Sequence, residues 1–480
     1  MDWKEKAISI LKNSLIPVPT ELNELDWKSG LSPKTERLAQ HISAFANLKG
    51  GGMFVFGVNN DGTCFSISQF DAQEIIKKLG NIAKNNLAYS IKIEHDILNY
   101  NGSSLLFVYI PEQMEKPVYL RGSDLYNSYC RSAGQTVKMS KEQVKALISI
   151  SKGIYFEKQI AMENLSVENV LKLLNYRKMF ELLDRNVPSS SDTILNKMKE
   201  LEFCKYESGH WHITNLGAIL FANDTTNFEG LKGKSVIVRK YKGTNNRDME
   251  FEQVDKRGYA AGFEGMIEFI MQHTQSGEKR DIKRENMQIY PKIAIREFVA
   301  NALIHQDFAI TGMPITIEIF SNRLSITNPG ASLNDINRLI DLPPHSRNEI
   351  LANTMLLLRF CERRGSGIDY AIKAIEKHGL PAVKFTRSEQ HTRIFLFPPK
   401  RLSEMTKDEK NLACYQHACL MYEDNKAINN QSVRERFGIE RNKSSVASRI
   451  IADTLDSGLI KMSDEENNSR KYAMYIPYYG

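Results

Sequence analysis

The chain has 480 residues, with 64 Lys plus Arg against 57 Asp plus Glu and a formal charge of +7. That length predicts two to four domains, and so mild a basic excess permits a nucleic-acid partner without demanding one. Six cysteines without a CxxC pair argue against a disulfide framework. No window approaches the roughly 18–20 apolar residues of a membrane helix, and the first residues lack a signal peptide's apolar core, so a soluble cytoplasmic chain is expected.

Residues 1–152 read as mixed α and β. A helix is predicted over residues 32–48, with Leu38, Ile42, Phe45 and Ala46 inward, ended by Gly50-Gly51-Gly52. MFVFGV at 53–58 is a buried strand closed by Asn60-Asp61-Gly62. A second helix over 70–86, strands over 104–110 and 126–132, and a closing helix over 140–152 follow.

Residues 155–285 form a connecting region. Three short helices, over 168–176, 178–186 and 192–201, precede a hairpin over 203–212, which is a winged-helix pattern. An apolar helix over 218–222, a strand Val236–Tyr241 and an amphipathic helix over 256–273 lead onward. Gly233-Lys234-Ser235 ends like a phosphate-binding loop, but Phe228 replaces its first glycine and a strand follows, so that reading is rejected.

Residues 286–400 hold the most informative stretch, PKIAIREFVANALIHQDF at 291–308. Ile293, Ile295, Phe298, Val299, Ala302, Leu303 and Ile304 leave this helix almost no solvated face. Yet Glu297, Asn301 and His305 recur every four residues along one side. Buried polar groups need partners. A hydrated cation is one: Asn301 offers a carbonyl oxygen to Mg²⁺, and Glu297 a base aimed at a phosphate's water. A structural polar stripe satisfied by loops is the alternative. A strand over 314–320, a strand over 324–327 running into Asn328-Pro329-Gly330, and glycines opening a helix at 368–377 favour the site. The stretch 331–346 suits a lid. A strand over 392–397 and Pro398-Pro399 end the domain.

Residues 404–480 read as a separate winged helix-turn-helix domain, with helices over 407–422, Asn430–Phe437 and Ser444–Asp456 and a wing from 459–462 and 471–476. Arg434, Arg436, Arg441, Lys443 and Arg449 cluster there, although the domain's acids nearly balance its bases. Protein docking is the competing role.

REFVANALIHQDF, ITNPG and RNEILANTMLLLRFCERRGSGI resemble the boxes of the Bergerat-type ATP-binding α/β sandwich shared by gyrase B, histidine kinases and MutL. They are still more similar to bacterial RecG-related regulators that carry an N-terminal Schlafen AlbA-like domain. The resemblance implies Mg²⁺ and ATP as cofactors, with Glu297 as base, Asn301 as Mg²⁺ ligand, Asn328 at the adenine, and Gly330, Gly365, Ser366 and Gly367 framing the nucleotide. His305, Arg347 and Asn348 complete the implied set. The wider superfamily has Asp where Asn328 stands; Asn is neutral yet still accepts from the adenine amino group.

The N-terminal resemblance rests on Glu21, Asp26-Trp27-Lys28, residues 43–47 (SAFAN), Gly50-Gly51-Gly52, Gly57-Val58 and Arg131. Schlafen RNases hold metal on three acids. Glu21 and Asp26 match two, but Asn59-Asn60 occupy the third position, which argues against cleavage. Lys28 and Arg131 are the implied phosphate contacts. The expectation is an α+β multidomain, ATP-switched nucleic-acid-binding regulator, at least dimeric, with no membrane association. The alternative is an ATP-gated metal-dependent nuclease. A histidine kinase is disfavoured, because it needs a separate phosphoacceptor histidine on a dimerisation helix.

Overall fold

The computed structural model describes residues 3–15, 22–132, 134–141, 143–144, 147–148, 155–276, 287–342, 346–361, 367–464 and 473–480. Two compact units divide the chain, one over Met1–Ile154 and one over Tyr155–Tyr478.

Among the described residues, the first unit is built on a four-stranded sheet ordered Leu25–Lys28, Gly52–Phe56, Ser103–Ile110, Glu94–Tyr100, with only the first pair parallel. Every residue of Gly52–Phe56 is buried, because helices cover both faces. Helices Thr35–Asn47 and Gln69–Asn85 bury Leu38, Ile42, Phe45, Ile75, Leu79 and Ile82 against Phe54, Phe56 and Val108. On the other face the helix Trp3–Leu15 packs Ala7 and Leu11 on Trp27, Val55 and Phe107. The glycine run is explained by crowding: a Cβ on Gly52 would come within 2.0 Å of the Phe45 ring, while Gly50 and Gly51 adopt φ of +79° and +72°. The closing helix expected over 140–152 lies largely outside the described residues.

The second unit opens with helices Val167–Leu173, Tyr176–Leu182 and Ser191–Glu200 beside an antiparallel sheet in which His210–Thr214 lies between Ile160–Leu165 and Cys204–Glu207. The side chains of Ser166, Asn175 and Thr214 cap the helices that follow them.

Among the described residues, a six-stranded sheet runs Met249–Asp255, Val236–Tyr241, Thr316–Phe320, Arg323–Pro329, His391–Leu396, Lys384–Arg387. Only Val236–Tyr241 and Thr316–Phe320 pair in parallel. The first two strands come from sequence assigned above to the connecting region. Their contribution lies in tertiary pairing that local pattern cannot reveal. Helices Tyr259–His273, Lys292–His305 and Gly367–Lys377 pack side by side, and the middle one also contacts Arg323–Pro329. Ile295, Phe298, Val299, Ala302 and Leu303 are fully buried or nearly so, as expected, but Ile293 in the first turn remains 46 % exposed.

After the last strand, helices Lys407–Glu423, Asn430–Phe437 and Ser444–Asp456 precede an antiparallel pair, Ile460–Met462 with Tyr475–Pro477. Capping boxes at Thr406 with Glu409 and at Asn429 with Ser432 start two of these helices. Gly438, at φ +62°, ends the second.

Candidate functional site

The polar side of Lys292–His305 is organised around one hydrogen bond. Asn301 Nδ2 donates to Glu297 Oε1 over 3.0 Å, and Glu297 is buried. Opposite lies Gly367, the first residue of the Gly367–Lys377 helix. A Cβ built there would come 2.0 Å from Glu297 Oε1, so only glycine permits the approach. A carboxylate beside a helix N-terminus is favoured by the unsatisfied N–H groups there. His305 is half-buried at the far end of the same face. Gly365 and Ser366 lie outside the described residues.

The C-terminal end of this helix is held by the Arg347-Asn348 pair, whose role the sequence left open. Asn348 is buried and its Nδ2 donates to the Ile304 and Gln306 carbonyls, both at 2.8 Å. It therefore satisfies acceptors that a helix end leaves without partners. Arg347 Nη2 donates to the Ala331 carbonyl at 2.7 Å, and its Nε lies 3.9 Å from Asp307. Burial pushes the guanidinium below its ordinary pKa, and Asp307 opposes that shift. The Asn328-Pro329-Gly330 turn is tied into the same corner: Asp307 N–H donates to the Pro329 carbonyl at 2.8 Å, and Thr392 Oγ1 to the Gly330 carbonyl at 2.9 Å. Gly330 has φ +100°, and a Cβ there would come 2.9 Å from that of Asp307. Asn328 is buried, opposite Thr392 in the ladder, with Nδ2 3.4 Å from the Pro329 carbonyl.

Sequence reading missed two further groups, the first of which braces this corner. Lys234, from the rejected phosphate-loop look-alike, donates to the carbonyls of Phe308 (2.9 Å) and Ile310 (2.7 Å). Asp369 lies just inside the Gly367–Lys377 helix. Burial first, then Glu423, Asp341 and Asp424, push its carboxyl up to about 7. Arg338 and Lys373 offset part of this field through their pairs with Asp341 and Asp424. Between about pH 4 and 7 the folded chain keeps a proton that the unfolded chain has lost, so this group makes stability fall as pH rises through that window. Asp369→Asn is expected to stabilise the fold at pH 8 by about 1 kcal/mol, a gain kept small because solvent screens a part-exposed carboxyl, and so to raise the melting temperature there, with little effect at pH 4. Calorimetric melting at both pH values checks it.

In the first unit Glu21 lies outside the described residues. Asp26 does not stand open for a metal. It is 0 % exposed, with Lys28 Nζ at 2.8 Å, His41 Nδ1 at 2.9 Å and Arg131 Nη1 at 3.4 Å. Arg131 also donates to the Leu22 and Leu25 carbonyls and lies over the Phe45 ring. Lys28 and Arg131 are thus drawn inward onto a carboxylate. His41, which sequence reading did not single out, completes the cluster; burial pushes its pKa down, with Asp26 opposing. The signal available was a polar residue next to Ile42 and one turn before Phe45, on the inward side of a helix.

Of the C-terminal cations, Lys443 and Arg449 are exposed, Lys443 3.3 Å from Glu440, and Arg434 Nε donates to Asn430 Oδ1 at 3.0 Å. Arg436 departs from the expectation of a nucleic-acid contact. Its Nη2 donates to the Leu380 carbonyl at 2.9 Å, its Nε lies 3.4 Å from Glu376, and its side chain is 5 % exposed. Among the described residues, no group of three or more His, Cys, Asp or Glu is placed to hold a metal ion, and no helix is long and apolar enough to cross a membrane.

A mixed sheet carrying packed helices, with a glycine-opened helix against a Glu–Asn seam, lies in the second unit, and a separate α/β domain forms the first. Comparison with known proteins relates each unit to a known domain. Residues 21–140 match the family model described as "Schlafen, AlbA_2", and residues 312–396 match "Putative ATP-dependent DNA helicase recG C-terminal". The chain therefore combines an N-terminal AlbA_2 domain with a RecG-related ATPase-like domain. The second match takes in Asn328, Gly330, Arg347 and Asn348 but starts after the Lys292–His305 helix. Among solved structures, the DIP2311 protein from Corynebacterium diphtheriae is 13 % identical, covering 99 % of this chain and 96 % of its own, at a TM-score of 0.40. The N-terminal domain of a "Putative ATP-dependent DNA Helicase RecG-related Protein" from Nitrosomonas europaea is 22 % identical over 28 % of this chain and 92 % of its own, at a TM-score of 0.21. No curated protein matches the sequence.

Proposed function

We propose that the chain is an ATP-switched, nucleic-acid-binding regulator. The observation that carries this reading is the Glu297–Asn301 pair closed against Gly367. The donor set suits a nucleotide with its magnesium ion. Asn301 spends its amide nitrogen on Glu297, so its carbonyl oxygen is the group left for a hard cation. Gly367, having no Cβ, lets the Glu297 carboxylate lie against the start of its helix. Bound Mg·ATP would supply a triphosphate and a divalent charge beside this seam. Glu297 orients or deprotonates water there, Asn328 accepts from the base amino group, and the Arg347-Asn348 pair fixes the helix end and the Asn328-Pro329-Gly330 turn.

Nucleic acid is assigned to the AlbA_2 domain and to the C-terminal winged-helix module, where exposed Lys443 and Arg449 lie at and on the Ser444–Asp456 helix. The four-domain division and a cytoplasmic homo-oligomer closed by nucleotide belong to this proposal. Titration calorimetry with ATP, with and without Mg²⁺, tests the first half. Fluorescence anisotropy on labelled DNA and RNA, with and without nucleotide, tests the second. Absence of Mg-dependent ATP binding overturns the reading. The enclosure of Asp26 by Lys28, His41 and Arg131 weighs against the nuclease alternative. Intact RNA after incubation with Mn²⁺ is the expected result, and cleavage lost on Glu21→Ala would reverse that preference.

A further inference from the structure

The Gly367–Lys377 helix joins two parts of the second unit that sequence reading kept apart. Its first residue lies against Glu297. About 1.5 Å of rise per residue carries the axis some 14 Å to Glu376. There the Glu376 carboxylate takes His417 Nδ1 at 2.7 Å and lies 3.4 Å from Arg436 Nε, so one acid clasps the first two helices of the C-terminal module. Lys373, one turn earlier, pairs with Asp424 at 3.3 Å. Beside this face, Gln416 exchanges two hydrogen bonds with the Val383 main chain, and Tyr415 donates to the Asn337 carbonyl in the lid-like stretch at 2.6 Å. The C-terminal module is therefore gripped both by the helix that starts at the nucleotide seam and by the main chain at Asn337.

Energetics make this grip responsive. A buried arginine is costly unless its charge is matched, and the Arg436 side chain is almost fully buried. Burial pushes its pKa down while Glu376 opposes. His417 Nε2 is buried with no hydrogen-bond partner among the described residues, which undocking would hydrate. A contact holding both a matched charge and an unpartnered ring nitrogen is neither loose nor strongly locked.

We infer that Glu376 is a positioning residue that transmits nucleotide occupancy at the Gly367 end of the helix to the Ser444–Asp456 helix of the C-terminal module. This rests on the ATP-switch reading above. A shift of the helix start changes how Glu376 meets His417 and Arg436, and with it how the Ser444–Asp456 helix is presented. By reciprocity, nucleic acid bound to that module must change ATP affinity by the same factor.

The test measures both affinities in the full chain, by ATP calorimetry with and without labelled DNA and by DNA anisotropy with and without Mg·ATP. Wild type is expected to show at least a fivefold mutual effect, about 1 kcal/mol. In Glu376→Gln that factor should fall below twofold while ATP affinity alone stays within threefold. His417→Gln leaves Arg436 paired and serves as the milder variant should the first lose its fold; it should lower the factor similarly. Full coupling in a folded variant, or a wild type that binds both ligands independently, overturns the inference alone. A wild type that binds no ATP removes the underlying reading and this inference with it.

Discussion

Asn301→Ala is expected to abolish Mg-dependent ATP binding in titration calorimetry. The substitution removes the carbonyl oxygen proposed for the cation and the 3.0 Å bond that steadies Glu297. Losing a ligand to a charged group while leaving a buried carboxylate short of a donor costs about 3 kcal/mol, roughly a hundredfold in Kd. Glu297→Ala separates the two roles: it should retain binding yet lose any turnover, because the acid acts on water and not on the cation. Undiminished hydrolysis in that variant would strip Glu297 of its assignment. Unchanged affinity in Asn301→Ala would return the whole polar face to a structural stripe.

Gly367→Ala should be nearly as damaging, through a different route. The added methyl would fall 2.0, 2.3 and 2.7 Å from Oε1, Cδ and Oε2 of Glu297. All three atoms belong to one buried group, so a small rotation of a single bond cannot clear them. Either the carboxylate leaves Asn301 or the Gly367–Lys377 helix backs away. Overpacking of this kind costs about 1–3 kcal/mol in stability. It should lower the melting temperature and weaken ATP binding at least tenfold. A variant that melts and binds like wild type would show that the close approach is unimportant.

The likeness to an ATP-binding fold was legible because its helix is both apolar and striped. Glu297, Asn301 and His305 fall at intervals of four, and helical geometry alone aligns them. The α+β multidomain character was equally readable, since apolar runs of strand length alternate with helical periods. Asn348 was recognisable by its motif but not in its role. Its bonds run to Ile304 and Gln306, more than forty residues earlier, and no local pattern encodes a helix cap delivered from that distance.

Cations were the least readable class. Lys28, Arg131 and Arg436 look like phosphate contacts in a linear string, since a positive charge is usually solvated. Folding instead turned them onto Asp26 and Glu376. The partners come from other elements, and desolvating a charge is tolerable only where an opposite charge waits. The strands Val236–Tyr241 and Met249–Asp255 illustrate the same point for backbone, because ladder pairing joins chain segments without regard to their order.

Periodicity and turn chemistry, which act over a few residues, were enough to mark most of the longer helices and to show which of them carries a polar seam, but not strands such as Glu94–Tyr100, Ile160–Leu165 and Met249–Asp255. Pairing of distant groups was left to the packed chain: the enclosure of Asp26, the capping of the seam helix by Asn348, and the clasp of Glu376 on the C-terminal helices. Local conformation depends on neighbours in sequence, whereas burial and charge matching depend on neighbours in space, and only the assembled core defines the second set.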